Sequence, residues 1–95
     1  MTKTERTLLL DELQRYSMCA EWYLLLWKES AYANNSHKED HNRLCCSRDA
    51  LEELYLQLNI SQEECTEQLN KGKEMAKDSF KDYEARTDGR KEAMI

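Results

Sequence analysis

An all-α fold, a three-helix antiparallel bundle with a long N-terminal helix, follows from three features of the sequence. The 95-residue chain has two glycines and no proline, with 35% charged and 40% hydrophobic residues, so few positions break a helix. A Ser or Thr stands three residues before a Glu at Thr2/Glu5, Ser36/Glu39 and Ser61/Glu64. In such a pair the hydroxyl accepts from a first-turn N–H and the carboxylate reaches back to the cap residue, which marks a helix start. Each pair precedes a segment whose apolar residues recur at helical spacing. Asn34-Asn35-Ser36 and Asn59-Ile60-Ser61 also match the glycosylation acceptor pattern, but at helix starts they read as caps.

The first helix is predicted over about 3–33, roughly 45 Å long at 1.5 Å per residue, with the Asn34-Asn35 pair ending it. Leu9, Leu10, Leu13, Tyr16, Ala20, Leu24, Trp27 and Ala31 fall on one stripe, an ordinary core face. A second group, Leu8, Met18, Trp22, Leu25 and Leu26, projects from the opposite side. Two remaining helices cannot easily bury both sides of the first, so this second stripe is the expected partner-binding surface, with Trp22 as its anchor.

The second helix is predicted over about 37–58, with Leu44, Leu51, Leu54, Tyr55 and Leu58 as its core stripe and Asn59 as its stop. The third is predicted over about 62–88, opened by a hydrophobic staple of Ile60 on Cys65. Its inner stripe of Cys65, Leu69, Gly72, Ala76, Phe80 and Tyr83 is thin. Gly72 and Ala76 are expected to admit a bulky neighbour from the first helix, Trp27 or Tyr16. Gly89 is expected to end the helix and leave a frayed tail over 89–95. Short connections make the helices antiparallel neighbours within one domain over 1–95.

Composition narrows the function. A net charge of −5 argues against a general nucleic-acid binder, which needs a clear excess of Lys and Arg on one surface. The longest apolar run, Trp22 to Trp27, is six residues, far below the ~20 that span a bilayer. The Leu8 to Leu10 run is cut short by Asp11 and Glu12, so no cleavable leader is read, and a reduced, cytoplasmic setting is expected.

Three constellations carry chemistry. His37, His41 and Cys45 are spaced four apart, as ligands in zinc sites can be, but His37 and Cys45 lie about 12 Å apart along the axis and one ion would take only two of them. They remain weak candidates, with Glu29 the nearest strong oxygen ligand, and no metal or cofactor is expected. Of the four cysteines, Cys65 reads as a small core hydrophobe, Cys19 lies beside the second stripe, and Cys45 and Cys46 point about 100° apart and cannot be bridged without distortion. Lys73, Lys77 and Lys81 form a row suited to an anionic partner, diluted by Glu74, Asp78, Asp82 and Glu84. No phosphate loop or nucleophile–base–acid set is present, so no enzyme is expected.

The expected function is a small helical protein–protein interaction module, acidic and self-associating as a dimer or seated on a larger partner protein. Adaptors, secretion-type chaperones and small inhibitors work in this way, and inhibitors encoded by phages or mobile elements are often of this size and charge. Two alternatives come from other classes: a metal-binding regulator using His37, His41 and Cys45, and a nucleic-acid-binding module using the basic row of the third helix.

Overall fold

A computed structural model describes the backbone over residues 1–93 and side chains over residues 1–86. It is an all-α three-helix bundle: α1 spans Lys3–Glu29, α2 Asn35–Gln57 and α3 Gln62–Ala93. The helix α1 packs against both others, whereas α2 and α3 hardly touch. A three-layer arrangement with α1 in the middle results, elongated at 57 × 24 × 17 Å.

Two of the three helix starts use the expected residues. Thr2 Oγ1 accepts from Glu5 N at 3.1 Å, and at α3 both halves of the box are made: Ser61 Oγ accepts from Glu64 N at 3.2 Å, and Glu64 Oε2 from Ser61 N at 3.0 Å. The middle start is corrected. Asn34, not Ser36, caps α2, its Oδ1 accepting from His37 N at 3.2 Å. Asn is as good a cap as Ser, and the chain arrives there from a tight reversal that leaves Asn35 already helical.

That reversal also ends α1 four residues before the expected position. Ser30 Oγ donates to the Trp27 carbonyl at 2.7 Å and accepts from Asn34 N at 3.1 Å, while Ala31 and Tyr32 adopt left-handed backbone with φ of 55° and 62°. Neither residue favours that region, so packing holds them there: the Tyr32 ring stands edge-on to Trp27 at 4.8 Å. Asn59, at φ 67°, makes the left-handed stop of α2 as read. Gly89 does not end α3; the helix runs through it to Ala93. The rest of the expected tail, 94–95, and the side chains of Arg90 and Lys91 lie outside the described residues.

The core sits at one end. Leu13, Tyr55, Ile60 and Cys65 are all at most 1% exposed and form one cluster, against which Leu9, Leu10, Leu51 and Leu69 pack. The staple residues Ile60 and Cys65 are thus part of the core itself. Arg6 adds a two-pronged ion pair to Glu64, with Nε to Oε1 at 3.2 Å. Leu54 and Leu58, expected in the core, are instead 48% and 44% exposed, because α2 turns Tyr55 rather than the leucines toward α1.

Candidate functional site

The contact between α1 and α3 begins with small residues. A Cβ placed on Gly72 would lie 2.5 Å from the Gln14 carbonyl oxygen and 2.8 Å from Ser17 Cβ. The two backbones therefore touch where only glycine fits. The expectation that Gly72 accommodates Trp27 or Tyr16 is corrected: its neighbour is the α1 backbone from Gln14 to Met18. Ser17, fully buried, donates from Oγ to the Leu69 carbonyl at 2.6 Å and satisfies itself at the crossing.

Further along, the same closeness brings the second stripe of α1 against aromatic residues of α3. Trp22 stands edge-on to Phe80 at 5.4 Å and to Tyr83 at 5.7 Å, and Phe80 and Tyr83 lie 5.4 Å apart. The sequence places Trp22 on an unpartnered face; the structure gives it an intramolecular neighbour and leaves it half-buried. Around it an apolar cleft of about 290 Å³ is lined by Met18, Cys19, Trp22, Tyr23, Ala76 and Ser79. Cys19 also borders a shallower cleft of about 160 Å³ formed with Glu12, Arg15, Tyr16 and Leu44 of α2. Both grooves flanking α1 therefore open beside Cys19.

Of the other stripe residues, Leu25 and Leu26 are half-buried, whereas Leu8 is 64% exposed and stands apart from the Trp22 cleft, beside Lys3, Thr4 and Thr7. Met75 of α3, one turn before Ser79, is also exposed. The sequence reading put Ala76 on the inner stripe of α3 but passed over Met75 and Ser79, because a helical wheel does not show which flank of α3 borders a cleft.

His37, His41 and Cys45 are brought to the α1–α2 contact with separate partners. His37 lies beside the Tyr23 ring at 6.1 Å, and its Nδ1 is buried with no hydrogen-bond partner among the described residues. His41 Nδ1 donates to the Ala20 carbonyl at 2.6 Å. A carbonyl can only accept, so the proton is on Nδ1 and Nε2 is left as an acceptor, 3.5 Å from Cys45 Sγ. The thiol is thus the donor in this pair. Burial pushes the Cys45 thiol up, and Asp49, Cys46 and Glu21 add to the rise against the opposing charge of Arg48, a shift that favours the protonated sulfur. Among the described residues no three His, Cys, Asp or Glu side chains are grouped to hold a metal ion.

The remaining cysteines are free thiols. Burial likewise raises Cys65, in keeping with its place in the core. In the basic row Lys77 and Lys81 are exposed and Lys73 is half-buried, and Glu74, Asp78, Asp82 and Glu84 share their solvent-facing surface. No described helix is long and apolar enough to cross a membrane. No protein-family model, curated protein or solved structure matches this chain.

Proposed function

We propose that this protein is a helical interaction module that binds or blocks a partner protein at the apolar cleft between α1 and α3. The observation that carries this reading is the cleft itself: its lining is almost wholly apolar, a tryptophan half-buried between helices forms one wall, and Met75, next in sequence to the lining residue Ala76, is exposed. Tryptophan set in a partly dry pocket is the kind of side chain that dominates binding energy once a partner excludes the remaining water. The partner class this favours is a protein presenting an apolar side chain or helix face, in the manner of an adaptor, chaperone or inhibitor target. Leu8 supplies a separate apolar contact on the same helix.

The test is co-purification from the source organism's extract with the tagged chain, compared with Met75→Glu and Met18→Glu. A protein retained by wild type and lost with both variants, each still helical by circular dichroism, supports the reading. Retention unchanged in both variants would place the partner elsewhere and remove the cleft from the proposal.

A further inference from the structure

Of the two connections between helices, only one is made of residues suited to it. Asn59 turns α2 into α3 with φ 67°, and asparagine tolerates left-handed backbone. The reversal from α1 to α2, Ser30 to Asn34, instead puts Ala31 and Tyr32 there, at φ 55° and 62°, and contains no glycine. Crowding of Cβ against the following carbonyl disfavours that region for both residues. Alanine is the best helix former, and none of Ser30, Ala31, Tyr32 and Ala33 breaks a helix. Local preference therefore runs against the turn. The hold on it is slight, because Tyr32, edge-on to Trp27, is itself 56% exposed. The helix beyond it is lightly held as well: Tyr55, near its far end, is the one buried residue of α2, and α3 hardly touches it.

We propose that the turn over Ser30 to Asn34 straightens into helix and that two copies of the chain exchange α1, each α1 seating between α2 and α3 of the other copy. In each copy α1 and α2 then form one helix over residues 3–57, about 80 Å long at 1.5 Å per residue. The two long helices run antiparallel about a two-fold axis through the turn. The directions agree. Ala20 meets His41 and Tyr23 meets His37, so α2 is antiparallel to α1, whereas Arg6 meets Glu64 and Trp22 meets Phe80, so α3 is parallel to it. An α1 arriving from the second copy therefore finds both helices in the sense it needs. It fits because its contacts are those of the closed bundle, from the Leu13, Tyr55, Ile60 and Cys65 cluster to the Ser17 bond to Leu69. Exchange frees Ala31 and Tyr32 from left-handed backbone and adds helical hydrogen bonds through the turn, while giving up the Trp27 to Tyr32 contact and the Asn34 cap. A short strained hinge invites such exchange, and the entropy lost on association makes it depend on concentration. In the dimer the α1–α3 cleft is composite, with Met18, Cys19, Trp22 and Tyr23 from one copy and Ala76 and Ser79 from the other. The exchange does not depend on what that cleft binds.

Light scattering behind a sizing column tests the proposal, on the full chain refolded with reductant at micromolar and millimolar concentration. Wild type refolded at the higher concentration should contain dimer. Ala31→Gly should weaken the dimer by about a hundredfold or more, because in both chains glycine accepts the left-handed turn of the monomer and disfavours the helix that replaces it. Asn34→Ala should strengthen it about tenfold or more by removing the cap on which the closed turn depends. Arg6→Lys separates exchange from surface pairing, since a carbodiimide can join the new amine to Glu64 at the ion pair. In the dimer fraction that link should run between chains and give a covalent dimer on a denaturing gel that wild type lacks. A chain that stays monomeric at millimolar concentration even as Asn34→Ala overturns the proposal. So does a dimer whose link to Glu64 stays within one chain, or one that Ala31→Gly leaves unchanged.

Discussion

At its N-terminal half α1 is gripped by a closed cluster, Leu13 with Tyr55, Ile60 and Cys65, whereas its C-terminal half rests on small residues and half-buried aromatic rings. The first half excludes water from every side chain of the cluster. The second keeps Ala20, Ala76 and Phe80 dry but leaves Trp22, Leu25, Leu26 and Trp27 only half covered. One end of the helix therefore supplies stability and the other supplies apolar surface. A helix of 27 residues is long enough to do both because the two tasks fall on different turns.

The division predicts a graded set of effects. Leu13→Asp, which puts an unpaired charge in the cluster, should cost about 4 kcal/mol or more and leave the chain largely unfolded by circular dichroism. Gly72→Ala in a helix would ordinarily gain stability, but here the added methyl meets the α1 backbone, so a net loss of about 2 kcal/mol is expected in urea unfolding. If Gly72→Ala is instead stabilising, the two helices do not touch at this point and the contrast between the halves collapses.

Two buried hydroxyls sharpen the comparison. Ser17 donates to Leu69, so Ser17→Ala should cost about 1 kcal/mol. The Tyr55 hydroxyl is buried with no hydrogen-bond partner among the described residues, so Tyr55→Phe should be neutral or stabilising by up to about 1 kcal/mol. Glu64→Gln should give the smallest change and one that depends on pH. The Ser61 backbone N–H, joined by the Arg6 guanidinium and the Ser61 hydroxyl, holds the Glu64 carboxyl below its ordinary value in the fold. Its stabilisation is complete above the ordinary glutamate range and is lost as pH falls through the lowered value. The melting difference between wild type and Glu64→Gln should accordingly be present at neutral pH and fade in acid.

Much of this was legible in the residues. Helix number and order, the caps at Thr2 and Ser61, the left-handed stop at Asn59 and the core roles of Leu13 and Cys65 all follow from local pattern. What escaped depends on which neighbour a face meets. A wheel drawn for α2 puts Leu54 and Leu58 in its apolar centre, but the large Tyr55 ring sets the rotation of the helix and carries the leucines outward. Gly72 signals a close approach without naming its partner, and the partner is backbone, which no side-chain pattern reveals. The turn over Ser30 to Ala33 was hidden because Ala31 and Tyr32 have no preference for left-handed backbone. The candidate site was legible by half: the α1 stripe was visible, whereas its wall on α3 required knowing that Phe80 and Tyr83 come to Trp22.

The pairing of α1 with α3 carries a consequence for how the chain is made. Ser17 meets Leu69 and Arg6 meets Glu64, contacts that span 52 and 58 residues, so α1 leaves the ribosome before α3 and its core closes only once α3 has followed. In the interval Leu13 and the aliphatic residues around it have only α2 for cover. The apolar helix α1 is thus made before the helix that sheathes it, a vulnerable order for a chain growing at about 5–20 residues per second.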